Sequence, residues 1–376
     1  MTRTLVVTND FPPRPGGIQS FVQDVVARLP PEDVVVYASR WPGWEDYDAG
    51  APFTVVREDT RVLLPTPAVT RRAAQLVRSE QCAAVLFGAA APLGLMAPPL
   101  RAAGARRIVG LTHGHEAAWA GLPVARQLLR RIGDRLDVVT YLGEYTRRHI
   151  ASALSREAAG RMVQLPPGVD DTRFRPGVDG GPVRDRLGWS PDRPVAVCVS
   201  RLVPRKGQDT LLRAWPDVLR RVPEAGLLLV GGGPYRRRLE GLTDRLGVRG
   251  SVAFTGSVAW ADLPAYFAAG DAFAMPCRTR RGGLDVEGLG IVYLEASASG
   301  LPVVAGDSGG APDTVLDGET GYVVPGRSPS AVVDRLSPLL LDPVLAQRMG
   351  KRGRQWIEER WRWDAIVARL RALLAG

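Results

Sequence analysis

The sequence is poor in three residue types: it has three histidines, three cysteines and only two lysines, Lys206 and Lys351. These shortages exclude several chemistries. Cys82, Cys198 and Cys277 lie far apart and form no C-x-x-C pair, so neither a zinc knuckle nor a disulfide framework is written here. Cys82 and Cys198 sit in apolar runs and read as buried free thiols, which suits a reducing compartment. No apolar stretch is long enough to span a bilayer, and the run after Met1 is too short for a signal peptide. The chain is therefore expected in the cytoplasm. Tandem repeats and low-complexity blocks are also missing.

What is present is positive charge, a net +10 carried almost wholly by arginine. Such a surface attracts phosphates, anionic lipid or nucleic acid. Nucleic acid is the weakest of these partners, because no recognition helix or basic–aromatic motif appears. A length of 376 residues suits two domains, each able to bury a core.

Short β-branched runs alternate with amphipathic stretches. In the first half, strands are predicted at 4–8, 34–38, 54–57, 84–87, 108–112 and 138–141, with helices at 20–29, 67–79 and 123–136 between them. The run Leu165-Pro166-Pro167-Gly168-Val169-Asp170 breaks the pattern, and the Pro, Gly and Asp that follow read as a linker reaching Gly181. A second alternation has strands at 195–200, 226–230, 252–255, 272–275, 302–305 and 321–324. The fold class is therefore α/β: two Rossmann-like domains, 1–168 and 169–357, each a parallel sheet covered by helices. From Gln355 to Leu374 one helical pattern carries Trp356, Trp361 and Trp363. Its end, about 358–376, is expected to pack back on the first domain; closing the second domain is the alternative.

Four segments carry chemistry. Asn9-Asp10-Phe11-Pro12-Pro13-Arg14-Pro15-Gly16-Gly17-Ile18-Gln19 follows the first strand, and its paired glycines let backbone amides approach an anion. It is neither a G-x-G-x-x-G fingerprint nor a Walker loop, and a plain strand–helix turn reads equally well. Thr112-His113-Gly114-His115-Glu116 ends a predicted strand, the edge at which parallel sheets bind ligands. These histidines suit hydrogen bonding to a sugar or phosphate, or a buried structural pair. Ser200-Arg201-Leu202-Val203-Pro204-Arg205-Lys206-Gly207 can turn a guanidinium and an ammonium toward one anion. Finally, Asp285-Val286-Glu287-Gly288-Leu289-Gly290-Ile291-Val292-Tyr293-Leu294-Glu295 sets two glutamates eight residues apart, with a glycine loop opening a helix between them. The loop amides suit phosphate oxygens and the helical carboxylate suits a ribose diol. Downstream, the glycine turn 306–313 reads either as a shaper of the same site or as scaffold.

Together these segments resemble glycosyltransferase family 4, retaining enzymes of the GT-B fold, whose paired glutamates are matched by Glu287 and Glu295 and whose Arg/Lys pair by Arg201 and Lys206. NDFPPRPGGIQSF, FGAAAPLGLMA, THGHE, SRLVPRKGQD and GGLDVEGLGIVYLEA further resemble the actinobacterial enzymes that add α-1,6-mannose from GDP-mannose to phosphatidylinositol monomannoside. The resemblance implies two Rossmann-like domains with parallel sheets facing a central cleft, GDP-mannose as donor and a glycolipid as acceptor. It implies that Arg201 and Lys206 neutralise the diphosphate, that Glu295 holds the ribose, and that Glu287 with the amides of Gly288, Leu289, Gly290, Ile291 and Val292 meets sugar and phosphate. His113 matches the family's histidine near the transferred sugar, with His115 beside it. Gly16 and Gly17 approach the diphosphate, Asn9, Asp10, Gln19 and Asp285 stand in the sugar or acceptor vicinity, and the base lies along 252–258, starting at Val252. Asp313 departs from the glutamate common in the family.

A lipid acceptor calls for an anionic membrane surface at the inner face of the plasma membrane. The segment 123–137, with Arg126, Arg130, Arg131 and Arg135 among Val124, Leu128, Leu129, Ile132 and Leu136, suits an interfacial helix or one packed on its own domain. Other readings are mannosyl transfer to another glycolipid such as a glucuronosyl diacylglycerol, a nucleotide-sugar epimerase and a non-catalytic binding protein; the paired acids and bases argue against the last two. No cofactor is implied, and catalysis is expected without an essential divalent ion. Turnover in excess chelator is therefore expected to equal turnover with Mg²⁺; activity abolished by chelator and restored by Mg²⁺ or Mn²⁺ overturns this.

Overall fold

The computed structural model describes residues 3–376; Met1 and Thr2 lie outside the described residues. Thirteen strands are described: β1 (Thr4–Thr8), β2 (Val34–Ser39), β3 (Thr54–Glu58), β4 (Ala84–Phe87), β5 (Arg107–Gly110), β6 (Val138–Tyr141), β7 (Val163–Gln164), β8 (Val195–Val199), β9 (Gly226–Val230), β10 (Val252–Gly256), β11 (Ala272–Met275), β12 (Val303–Gly306) and β13 (Gly321–Val324). They form two parallel sheets, ordered β3-β2-β1-β4-β5-β6-β7 and β10-β9-β8-β11-β12-β13. Every residue of β1, β2, β8 and β9 is buried. That is why those segments read as unbroken apolar runs: helices cover both faces.

The first compact unit ends at Pro167 and also takes residues 364–376; the second spans Gly168–Trp363. In the first, Leu5, Val7, Val85, Phe87 and Ile108 form the centre of the core. The order reverses between β1 and β4, so the connections leaving their carboxyl ends run to opposite faces of the sheet and leave a crevice there. In the second unit the same reversal falls between β8 and β11. All three cysteines are buried and free; burial pushes the Cys82 thiol up to about 11 and the Cys198 thiol up to about 12.

Three expectations change. The short strand β7, which pairs Thr140 with Val163 and Tyr141 with Gln164, was not predicted, because two residues carry no periodicity. The segment 108–112 pairs as Arg107–Gly110, leaving Leu111 and Thr112 to the turn. The tail is not one helix. Helices run over Pro343–Arg360 and Trp363–Ala375, and the chain opens between them, where the Trp361 carbonyl accepts the Val169 amide at 2.8 Å and Val169 bridges Arg362. A strand-like partner outcompetes helix continuation at that point. The last helix belongs to the first unit, where the Arg107 Nε donates to the Leu373 carbonyl at 2.9 Å.

Candidate active site

In the second unit, β8 turns through Ser200–Gly207 into the helix Gln208–Arg221. Gly207 sits at φ 78°, and any Cβ there would run into the carbonyl oxygen of Pro276, just past β11. Only glycine lets the loop lie this close to the switch point between β8 and β11. Gln208, fully buried, closes the loop on itself: its Nε2 donates to Ser200 Oγ at 2.8 Å and to the Arg201 carbonyl at 3.1 Å. Lys206, 8% exposed, is aimed by this turn at Glu287, and its Nζ stands 2.7 Å from Oε2.

Glu287 is held from behind. Its amide donates to Ser308 Oγ at 3.1 Å, and its carbonyl accepts the Gly310 amide at 2.9 Å. Gly309, at φ 57°, lies so close that a Cβ would strike that same carbonyl. The turn 306–313, open between two readings in the sequence, is thus the bed on which Glu287 rests. Asp285 faces arginines, Arg205 at 3.7 Å and Arg280 at 3.4 Å, and braces the loop. The helix Ile291–Ala298 begins after Gly290 with no side-chain cap, so its first amides are left for a ligand. Leu289 is buried beside that turn. One helical turn on, Glu295 is 8% exposed, and among the described residues no hydrogen bond or ion pair reaches its carboxyl. Burial alone pushes it up to about 7.

Arg201 is exposed, and its guanidinium has no hydrogen-bond or ion-pair partner among the described residues. It lines a cavity of about 470 Å³ with Gly231, Gly232, Gly233, Ser257, Val258 and Leu263. Val252 is not at this cavity. It opens β10, whose far end leads to Ser257, so the cavity meets the other end of the 252–258 segment.

The first unit has its own cluster at the carboxyl ends of β4 and β5. Glu116, wholly buried, accepts the amides of His113 and Gly114 at 3.0 and 3.2 Å, and its other oxygen lies 3.2 Å from His115 Nε2. His113 Nε2 faces the Gly88 carbonyl at 2.5 Å, so that nitrogen carries the proton. Burial lowers the His113 pKa, and the ring is neutral, with Nδ1 as its acceptor. Phe21 meets it edge-on at 5.6 Å, and His115 stacks at 6.3 Å. Gln19 Nε2 donates to Asp10 Oδ1 at 2.5 Å beside Gly16, and the helix Gly17–Val26 starts there without a side-chain cap. Asn9 is engaged on both amide atoms by the main chain of Leu63, so it anchors the loop after β3.

Each unit therefore assembles its predicted residues, except that Val252 stands apart and that Asn9 and Asp285 are occupied by protein partners. Gln208 and the Gly231–Gly233 run were missed as site residues, while Glu116 and Ser308 lay inside segments read as candidates without a role of their own. The glycine run after β9 was a usable signal; a buried glutamine or serine behind a loop leaves none.

Residues 15–173 match the family described as Glycosyltransferase Family 4, and residues 182–356 match Glycosyl transferases group 1. The chain is 53% identical over 377 residues to the GDP-mannose-dependent alpha-(1-6)-phosphatidylinositol monomannoside mannosyltransferase of Mycolicibacterium smegmatis, covering 99% of this chain and 98% of that one. It is 51% identical to the protein of the same name from Mycobacterium tuberculosis, over 100% of this chain and 99% of the relative. Among solved structures, Anabaena HepE in complex with UDP superposes with a TM-score of 0.83 at 20% identity, over 99% of each chain, a likeness of fold.

The Glu295 carboxyl has a pH signature. Its folded value of about 7 exceeds the ordinary 4.5, so between those values the unfolded chain releases the proton while the folded chain keeps it. Stability falls as pH rises through that window, by up to about 3 kcal/mol at pH 8. Glu295→Gln is expected to raise the thermal midpoint at pH 8 and leave it unchanged at pH 4.5; equal midpoints at pH 8 would refute the unpaired carboxyl.

Proposed function

Since the chain belongs to glycosyltransferase family 4, we propose that it transfers mannose from GDP-mannose to phosphatidylinositol monomannoside with retention, forming an α-1,6-linked dimannoside. What carries the reading is identity of 53% that runs end to end through both units. The geometry of the second unit supports the donor half. An unpartnered guanidinium, a lysine 2.7 Å from a glutamate and an uncapped helix start all lie around the loops after β8 and β11.

The chemistry asks for stabilisation of a departing diphosphate. Arg201 and Lys206 supply positive charge and the amides of Gly290, Ile291 and Val292 supply donors, fixed before the reaction begins. Glu287 holds Lys206 in place through their contact at 2.7 Å, and its carboxylate offers an acceptor to sugar hydroxyls. Glu295 takes the ribose diol, exchanging an unpaired burial for two hydrogen bonds. Substitution proceeds at the front face: the acceptor hydroxyl attacks the anomeric carbon as GDP leaves, and a leaving phosphate oxygen takes the proton. No nucleophilic carboxylate and no divalent ion has a part in this scheme. In the first unit, neutral His113, His115, Asp10 and Gln19 are the groups assigned to sugar and acceptor hydroxyls.

The acceptor's lipid places the reaction at the cytoplasmic face of an anionic membrane. Among the described residues no helix is long and apolar enough to cross a membrane. The helix Pro123–Arg135 buries Leu129, Ile132 and Gly133 in its own unit. Its apolar stripe is thus explained by the core, and among the residues that remain exposed are Leu122, Val124, Arg130 and Arg131. That exposed set of two aliphatic and two basic residues is the proposed contact with lipid.

Purified protein given radiolabelled GDP-mannose and membranes containing phosphatidylinositol monomannoside is expected to form the dimannoside. Lys206→Ala and Glu287→Ala should each lower kcat/KM by roughly 10²–10³-fold. Transfer only to a control glucuronosyl lipid would discard the named acceptor and keep the site. At low salt the protein should sediment with vesicles containing phosphatidylinositol, and Leu122→Ser with Val124→Ser should weaken this severalfold; no sedimentation of the parent protein refutes the lipid contact.

A further inference from the structure

At the opposite edge of the first sheet, where β5 begins and the chain enters β6, a cavity of about 390 Å³ is lined by Arg101, Arg107, Arg135 and Arg161 with Asp134 and Asp137. The charges there do not balance. Arg101 pairs with Asp137 at 2.9 Å, and Arg161 with Glu157 at 2.5 Å. Asp134 is occupied by the Ser155 hydroxyl. Arg107 uses only its Nε, on the Leu373 carbonyl. The Arg135 carbonyl accepts from Arg101 at 3.5 Å, but its guanidinium has no hydrogen-bond or ion-pair partner among the described residues, and the Arg161 Nε is buried with no acceptor. Two guanidiniums thus lack a carboxylate, and a third presents a buried N–H with nothing to receive it.

We propose that this cavity is a second anion site, taking a phosphoryl group between Arg107, Arg135 and Arg161. Guanidinium forks match phosphate oxygens in geometry and charge. A phosphate there accepts from the Nη groups of Arg107 and from Arg135 and lies beside the positive charge of Arg161, leaving both existing ion pairs intact. The site lies at the amino ends of the strands, whereas His113 and its neighbours lie at the carboxyl ends. It therefore does not depend on the mannosyl-transfer reading. A free phosphate-bearing metabolite and the headgroup of an anionic lipid share this chemistry.

The test is calorimetric titration of inorganic pyrophosphate into the whole protein held in saturating GDP. The Arg135 guanidinium makes no hydrogen bond or ion pair among the described residues, so Arg135→Gln and Arg135→Glu are expected to leave the fold standing, which their thermal midpoints check. Pyrophosphate is expected to bind the parent protein, to bind Arg135→Gln about tenfold more weakly, and to bind Arg135→Glu more weakly still. Equal affinities in all three, or no binding to the parent, overturn the proposal. Vesicles of phosphatidylinositol compared with phosphatidylcholine identify the source. Recruitment lost together with pyrophosphate binding assigns a lipid headgroup; recruitment kept while pyrophosphate binding is lost assigns a free phosphate.

Discussion

Lys206 and Glu287 stand almost wholly buried and 2.7 Å apart, on loops 81 positions distant in the chain. A buried charge is tolerated only beside its opposite, and removing one member of such a pair costs about 3–5 kcal/mol. Much of the local structure exists to bring these two together. Gly207 lets one loop lie on the carbonyl of Pro276, Gln208 closes that loop, and Ser308, Gly309 and Gly310 fix the main chain of Glu287 from behind. The pair also organises what surrounds it. With Lys206 directed inward, Arg201 is left facing the cavity, and the helix after Gly290 presents bare amides beside Glu287.

The same logic runs at lower charge in the first unit. There a single buried carboxylate, Glu116, gathers two amides and one histidine, and the Gly88 carbonyl decides which nitrogen of His113 is protonated. A neutral, fixed imidazole is a hydrogen-bonding group for hydroxyls, not a titrating acid near neutrality. Both sites sit at carboxyl ends of parallel strands beside a reversal of strand order, where helices on opposite faces part. Chemistry and topology are thus joined: the crevice comes from the crossover pattern, and the glycines let loops enter it.

Much of this was legible in the residues. Buried parallel strands are continuous apolar runs, so twelve of the thirteen strands could be read before any coordinates, within a residue or two at their ends. Glu287, Glu295, Arg201 and Lys206 were legible because glycines and charges cluster where strands give way to helices. Val252 was misplaced within its segment because a strand of five residues spans roughly 13 Å, so one end can line a cavity that the other end never meets. Asn9 and Asp285 looked available because a sequence shows a polar side chain without its partners, here Leu63, Arg205 and Arg280.

The sequence by itself determined the class of fold and the residue types at the glycine loops proposed to meet the diphosphate. These follow from local periodicity and from glycine at the strand–helix junctions, properties that neighbours in the chain carry between them. Tertiary structure alone decided which charges are paired and which are free. It buried Glu295 with no donor to its carboxyl, held His113 neutral, opened the tail at Trp361 to meet Val169, and left the Arg135 guanidinium unpaired beside Arg107 and Arg161. The physical reason is that pairing and desolvation depend on distance in space, and the partners concerned lie tens to hundreds of residues apart along the chain.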